Sequence, residues 1–333
     1  MKGVIMAGGF GTRLRPLTYR RPKSLVPVLG KPAISYIIDS FQRGGFANLI
    51  LTTSYMPESI IRGIDRSILY SFEREALGTA GGVKKVEEFL DDTFLVGSGD
   101  VLADIDVFSL YDHHKKTGAK ATMALTRVDD PSEFGVAVMD DEGKIAHFVE
   151  KPKREEAPSN LVNAGIYVLE PEVLDLVPDG KYDFGRDLFP KLAGEIYGFE
   201  LDGLWVDIGR PQDLLRANRE MALKEGGGRP IISPSSSQRG SVIEGPSFIG
   251  PGNSLTDCRI CNSYTCGDVK IAGAVLTNSL IMGGCVIGDG AGISDSILAE
   301  GCKIGDGATI ENSVLGDEIS VGKNAKIKGK ISH

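Results

Sequence analysis

The chain has 333 residues, 41% apolar and 25% charged, with a formal net charge of -8 and an isoelectric point near 5.2. That length predicts about two domains, and the acidic balance argues against a nucleic-acid or membrane-surface role, which net positive charge drives. With no run of 18 or more apolar residues and no charged-then-apolar leader, a cytoplasmic protein is expected.

The first apolar strand, Val4-Ile5-Met6, runs into Gly8-Gly9-Phe10-Gly11-Thr12-Arg13-Leu14. Glycines at a strand end let backbone N–H groups approach a phosphate closely. Residues 1–38 carry Lys2, Arg13, Arg15, Arg20, Arg21, Lys23 and Lys31 and no acid, so the loop calls for an anionic partner such as a polyphosphate. A Walker A loop would end in Gly-Lys-[Ser/Thr], and a dinucleotide fingerprint would place a third glycine where Leu14 stands; neither fits. The stretch G-G-x-G-T-R-L-x-P-L-T, followed by Pro22-Lys23, resembles the signature loop of the sugar-phosphate nucleotidylyltransferases (NDP-sugar pyrophosphorylases).

Beyond the loop, Ile34, Ile37, Ile38 and Phe41 mark one helix face, ended by Gly44-Gly45. A strand over 49–53, a weaker helix after Pro57 and a strand over 68–72, which contains Ser71, continue the alternation. This rhythm predicts an α/β domain with a Rossmann-like, mostly parallel sheet that binds ligands at the carboxyl ends of its strands. Leu77-Gly78-Thr79-Ala80-Gly81 opens a helix carrying Val83, Val86, Phe89 and Leu90. Thr93 to Val96 forms a strand ending in Ser98-Gly99-Asp100, and a carboxylate at such a tip suits Mg²⁺. His113-His114, beside Lys115 and Lys116, are expected on the solvent side of a short helix. Strands are expected over 121–127, 135–139 and 145–149, the last ending in Glu150-Lys151-Pro152. Asn163-Ala164-Gly165-Ile166-Tyr167 follows, then Asp187-Leu188-Phe189-Pro190, and a strand from Gly203 ends near Asp207-Ile208-Gly209. Arg210 stands where the family commonly has Thr, which leaves the entry to the next helix open.

Past Glu225-Gly226-Gly227-Gly228 and the Ser233 to Ser237 run, the sequence repeats every 17 residues. Aliphatic residues step by 6, 6 and 5 through Ile281, Ile287, Ile293, Leu298, Ile304, Ile310, Leu315, Val321 and Ile327. A hexapeptide period with one inward aliphatic per side predicts a parallel β-helix, and Ile243, Ile249, Leu255 and Ile260 extend it to about five coils. The repeat resembles the left-handed hexapeptide family. Lys323, Lys326, Lys328 and Lys330 would protect the last coil from edge pairing. All five cysteines lie here; Cys258-x-x-Cys261 with Cys266 lacks a fourth zinc ligand, so buried thiols are expected. Relatives of this repeat that transfer acyl groups use a histidine, and after His147 only His333 remains, which favours a structural, oligomerising role.

The resemblance implies a catalytic part over 1–225, a linker over 226–240 and a left-handed β-helix over 241–333. It implies an enzyme joining an NTP and a sugar-1-phosphate into an NDP-sugar and pyrophosphate, with Mg²⁺ on Asp100 and Asp207. Arg13 and Lys23 would be catalytic, Gly8, Gly9, Gly11, Thr12, Ser71, Gly78 and Thr79 would bind nucleotide, and Glu150, Lys151, Asn163 and Gly165 would hold the sugar phosphate. Mannose-1-phosphate guanylyltransferases give the nearest likeness, making GDP-mannose from GTP. Uridylyl, thymidylyl or adenylyl transfer to glucose-1-phosphate stays open, as does a catalytically silent NDP-sugar sensor. No nucleic-acid or membrane partner is expected, and a homo-oligomer through the β-helix is.

Overall fold

The computed structural model describes residues 1–332, and the chain divides into two compact units. One comprises Met1–Gly9 with Ile34–Trp205, the other Phe10–Ala33 with the chain from Val206 onward.

In the first unit, β1 (Lys2–Met6), β2 (Asn48–Thr53), β3 (Leu69–Phe72) and β4 (Phe94–Ser98) pair in parallel, in the order β4-β1-β2-β3. Parallel neighbours need crossovers, and α1 (Ile34–Arg43), α2 (Pro57–Gly63) and α3 (Gly78–Lys84) lie in them. Strands covered on both faces must be apolar throughout, and Val4, Ile5, Leu51, Leu95 and Val96 are all buried. The predicted face of α1, with Ile34, Ile37, Ile38 and Phe41, is buried as well. Helix α3 stops at Lys84, earlier than its apolar spacing predicts, and Phe89 lies exposed in a separate 3₁₀ turn. Gly81-Gly82 inside it supply little helix propensity to carry it on.

The rest of the sheet is mixed rather than parallel. Following β5 (Val101–Ile105) come β6 (Ala121–Arg127), β7 (Gly135–Met139), β8 (Ile145–Glu150), β9 (Leu161–Leu169) and β10 (Ile196–Glu200). Strand β9 runs antiparallel to β4, β6 and β7, β8 runs antiparallel to β7, and β10 runs parallel to β6. The link from β7 to β8 is too short for a crossover, which leaves a hairpin as its only solution.

Helix α4 (Val107–Thr117) corrects the reading of the histidine pair. His114 is buried, with Nδ1 2.8 Å from Thr122 Oγ1 and Nε2 3.2 Å from Glu170 Oε1. Val107, Leu110 and His114 stand at i, i+3 and i+7 and share the helix's inner face, a spacing that outranks the solvated look of two adjacent lysines. The His113 ring packs on Phe199.

The second unit carries a left-handed parallel β-helix with three faces of seven, six and six strands. Strands on one face follow Ile231, Phe248, Tyr264, Leu280, Ile297, Val314 and Ile331, so there are six coils and the start of another. Ile231–Ile232 and Ser237–Arg239 begin the solenoid earlier than the aliphatic stepping shows, because their residues are too polar or exposed to keep that pattern. The coils from Phe248 to Tyr264 and from Tyr264 to Leu280 step by 16 rather than 17. Thr265 takes an inward aliphatic position there, and its hydroxyl accepts from Asn253 Nδ2 at 2.7 Å. Ile281, Ile287, Ile293, Leu298, Ile304, Ile310 and Leu315 fill the interior with Cys285 and Cys302.

On the face that runs from Phe248 to Val314, each two-residue strand has an outward apolar residue followed by the inward one. The first ones, Tyr264, Leu280, Ile297 and Val314, are buried outside the solenoid. Helix α5 (Pro211–Gly226) and the Phe10–Ala33 segment belong to the same unit and cover this face. Phe248 packs at Gly30, and Arg21 reaches Met282. Asn218, fully buried on α5, accepts the Leu29 N–H at 2.9 Å and donates to the Pro27 carbonyl at 3.2 Å, fastening the segment to the helix.

Candidate active site

The predicted residues fall into two groups, one in each unit. In the first unit they gather at the carboxyl ends of the parallel strands. Chain leaving β1 is pinned by Ala7 N–H on the Thr52 carbonyl at 2.8 Å and by Ser54 Oγ on the Gly8 carbonyl at 3.2 Å. A side chain on Gly9 would meet nothing within 4 Å, so its backbone faces open space. At the end of β4, the Gly99 N–H donates to the Met6 carbonyl at 2.8 Å, and Ser98 Oγ donates to Asp100 Oδ1 at 2.5 Å, which fixes the carboxylate. Ser71 lies on β3, in register with Thr52 of β2.

Gly78 has φ +75°, and a β-carbon there would lie 2.4 Å from the Tyr182 carbonyl oxygen. The turn can close only because glycine occupies it. Thr79 is engaged internally: its hydroxyl donates to Asp183 Oδ2 at 2.9 Å and accepts the Phe184 N–H at 2.9 Å. Glu73, which the sequence reading passed over, accepts the Leu77 N–H at 3.0 Å, with its other oxygen in the space left by the missing side chain of Gly82. An acid four residues before the Leu-Gly pair was the available signal.

At the end of β8, Lys151 adopts φ +50° with its N–H on the Phe134 carbonyl at 2.9 Å. Burial pushes the Glu150 carboxyl above its usual range, Lys151 and Arg186 pull it down and Asp183 pushes it up. Gly135 and Gly185 make room for that carboxylate, since a β-carbon on either would lie within 2.7 Å of Oε2. Asn163 Oδ1 accepts the Gly165 N–H at 2.8 Å, and its Nδ2 donates to Tyr167 OH at 2.9 Å. Gly165 has φ +73°, and a β-carbon there would come within 3.1 Å of Ser98 Cβ. This bends β9 at its register shift, between Asn163 and Tyr167, beside the Ser98-Gly99-Asp100 turn.

In the second unit the signature loop folds back on itself. Gly11 has φ +60° and packs on Lys23 Cβ and Thr18 Cγ2, while Thr18 Oγ1 donates to the Gly11 carbonyl at 2.8 Å. Thr12 begins a 3₁₀ turn through Leu14, and Lys23 begins another after Pro22. Leu14, Leu17, Val26 and Val28 are fully buried beneath them. Lys23 is buried too, with Nζ 3.5 Å from Asp207 Oδ1. A β-carbon on Gly209 would lie 3.0 Å from Asp207 Oδ2, 3.4 Å from Arg13 Nη2 and 3.5 Å from Asp213 Oδ2. One cation, Arg13, and two carboxylates thus surround one bare backbone position, and Lys23 sits on the other oxygen of Asp207. Helix α5 still starts cleanly after Arg210, whose N–H is accepted by Asp213 Oδ2 at 2.8 Å. Asp213 supplies the reciprocal cap that the missing Thr left in question.

No group of three or more His, Cys, Asp or Glu residues able to hold a metal alone occurs among the described residues. No helix there is long and apolar enough to cross a membrane. Cys258, Cys266, Cys285 and Cys302 are buried thiols, as expected, whereas Cys261 is only partly buried.

A family model described as nucleotidyl transferase matches residues 2–224, and one described as GMPPB C-terminal domain matches residues 231–332. Among curated relatives, a UTP--glucose-1-phosphate uridylyltransferase of Synechocystis is 37% identical over 330 residues, covering 87% of this chain and 85% of that protein. A mannose-1-phosphate guanyltransferase of Yarrowia lipolytica is 42% identical over 228 residues, 65% of this chain and 62% of its own length. That of Saccharomyces cerevisiae is 40% identical over 229 residues, 65% and 63% respectively. The match therefore spans less than two thirds of these guanyltransferases. With the first model covering most of the chain and the signature loop, strand-end carboxylates and glycine turns all in place, the chain belongs to the nucleotidyl transferase family.

Proposed function

We propose that the protein is a sugar-1-phosphate nucleotidylyltransferase, forming an NDP-sugar and pyrophosphate from an NTP and a hexose-1-phosphate, with GTP and mannose-1-phosphate as substrates. The observation that carries the reading is that both signature-loop cations converge on Asp207, Lys23 on its Oδ1 and Arg13 with its Oδ2 at the bare Gly209 position.

A phosphate oxygen of the sugar-1-phosphate attacks the α-phosphorus, the bond from that phosphorus to the bridging oxygen breaks, and pyrophosphate leaves. The nucleophile, with a second pKa of about 6, is largely ionised at neutral pH, so no general base is needed. What remains is alignment and charge neutralisation. Arg13 meets the departing pyrophosphate, Lys23 the α-phosphate, and Lys151 the sugar phosphate. Gly8, Gly9, Gly11 and Thr12 offer backbone to the triphosphate, Ser71, Gly78 and Thr79 border the base, and Glu150, Asn163 and Gly165 take the sugar hydroxyls. Because Thr79's hydroxyl is occupied, its part falls to the backbone.

Asp100 and Asp207 suit Mg²⁺: both are hard oxygen donors, Asp100 is oriented by a hydroxyl, and so small a protein share fits a cation that keeps waters and binds substrate phosphates. When bound, Mg²⁺ supplies charge neutralisation on the phosphate oxygens.

The C-terminal family model and the guanyltransferase likenesses support the guanylyl reading. Uridylyl transfer to glucose-1-phosphate is the second reading, favoured by the longer match to the Synechocystis protein. A catalytic part over 1–225 followed by the β-helix, which starts at Ile231 within the expected linker over 226–240 rather than at 241, goes with this proposal, as do a cytoplasmic location and a homo-oligomer. Pyrophosphate release is measured for GTP, UTP, ATP, CTP and dTTP against mannose-, glucose- and N-acetylglucosamine-1-phosphate, with Mg²⁺. Fastest turnover of GTP with mannose-1-phosphate supports the guanylyl reading, UTP with glucose-1-phosphate moves it to the second, and no turnover in any pairing overturns both.

A further inference from the structure

The segment that carries Arg13 and Lys23 also carries two adjacent arginines, and both reach the β-helix. Arg20 Nη1 lies 2.8 Å from Glu318 Oε2, with both side chains more than half exposed. Arg21 is different in kind: its side chain is 10% exposed and that of its partner Asp317 is 6% exposed. Its Nη2 donates to Asp317 Oδ1, its Nη1 meets Met282 Sδ at 2.9 Å, and Nη1 lies 3.4 Å from Glu300 Oε1. Asp317 Oδ1 also accepts the Glu300 N–H at 3.1 Å, so the coil backbone holds the acceptor in turn. Glu300 and Asp317 are one 17-residue repeat apart, at the turn after the short strands, where the preceding coils have Gly267 and Gly283. The small residues leave a slot and the acids close its end.

A buried, charge-assisted bond fixes direction as well as distance. From Arg21 the chain passes through Pro22 straight into the turn that begins at Lys23, and Lys23 in turn supports Gly11. We propose that Asp317 is a positioning residue, anchoring Arg21 so that the β-helix holds the phosphate-binding loop in its working shape. The catalytic meaning of that shape rests on the roles given above to Arg13 and Lys23; the anchoring itself does not. It assigns the β-helix a task within a single chain, beside any role in assembly.

The test uses the full chain as wild type, Asp317→Asn, Arg21→Lys, the double variant, and Glu318→Gln as the exposed control. Hydrogen exchange is followed in peptides spanning 12–28 and in coil peptides from 270 to 298. Losing a charge-assisted bond should speed exchange over 12–28 by about tenfold or more in Asp317→Asn and leave the coil peptides unchanged. Arg21→Lys, which keeps the charge but loses the two-pronged reach, should fall between, and Glu318→Gln should match wild type. In turnover assays, kcat should fall about tenfold with a smaller change in the sugar-phosphate KM, and the double variant should fall no further than the worse single variant. Unchanged exchange over 12–28 overturns the proposal. So does faster exchange through all coils, which would make Asp317 a fold residue only, and so does an additive double variant. If Asp317→Asn does not fold, the Arg21→Lys exchange decides. A wild type without turnover would refute the proposed reaction and leave the exchange result to judge the anchor.

Discussion

Lys23 and Asp207 lie 3.5 Å apart although 184 residues separate them in the chain. The ammonium is buried beside the carboxylate, so each charge is compensated before any phosphate arrives. Replacing Lys23 by Met should leave Asp207 facing developing phosphate charge, and kcat/KM should fall by roughly 10²–10³-fold, the range for one lost electrostatic donor. Steady-state kinetics measure it; a fall of under threefold would take Lys23 out of the reaction.

Asp100 and Asp207 should both set the response to Mg²⁺. Asp100→Asn keeps the shape and the bond from Ser98 but halves the charge offered to the cation. Its rate should be at least about tenfold lower and saturate at higher Mg²⁺ than wild type. An unaltered Mg²⁺ titration curve would show that Asp100 holds no metal.

Gly78 should accept no side chain. In Gly78→Ala a methyl would meet the Tyr182 carbonyl at a positive φ, and strain of this kind costs about 1–3 kcal/mol before the clash is counted. Urea unfolding should register at least that loss, together with a raised KM for the nucleotide. Wild-type stability would mean that the Leu77 to Gly81 turn can relax away from residue 182.

Glu150 should oppose folding in order to serve binding. Its folded pKa is raised by burial, so the stability associated with its protonated form is complete below the ordinary value of 4.5 and is lost as pH rises through the folded value. Without sugar phosphate, Glu150→Gln should therefore melt above wild type at pH 8, the gap closing as pH falls below 4.5. The same variant should show a raised KM for sugar-1-phosphate. A gap that widens on acidification would reverse the sign and refute the assignment.

Two outward positions on the solenoid should respond in opposite ways. Ile297 is 1% exposed on the covered face, and an aspartate there should cost several kcal/mol, since burying an uncompensated carboxylate is expensive. Val286 is 43% exposed on another face, and Val286→Asp should change stability by less than about 0.5 kcal/mol. Equal melting temperatures for the two variants would deny that the Phe10–Ala33 segment and α5 shield that row.

Local patterns carried much of this into view. The inward aliphatics from Ile281 to Ile327 show as a period, and the helix face from Ile34 to Phe41 shows as another. The second apolar row, Leu280, Ile297 and Val314, stands in the same sequence one residue earlier, but periodicity alone does not say that an outer face is covered. His114 was hidden by its charged neighbours although its spacing from Val107 and Leu110 marks the inner face. Thr265 breaks the aliphatic ladder because a 16-residue coil replaces the side-chain packing there with a hydrogen bond to Asn253. Pairings such as Lys23 with Asp207, or Arg21 with Asp317, are set by tertiary folding and leave no trace in local composition. For Glu150, Asn163 and Gly165, the residues alone showed a strand-end ion pair and a strand beginning at a glycine, and their roles came from likeness.

The grip of Arg21 on Met282, Glu300 and Asp317 turns the solenoid into a ruler. Each coil adds one strand spacing, about 4.8 Å along the axis. Inserting or removing one coil between Phe248 and Asp317 would slide the acid a full rung away from the arginine, beyond what side-chain flexing can follow. A longer or shorter version of this protein can therefore be built at the C-terminal end, past Glu318, while the count of coils before it stays fixed.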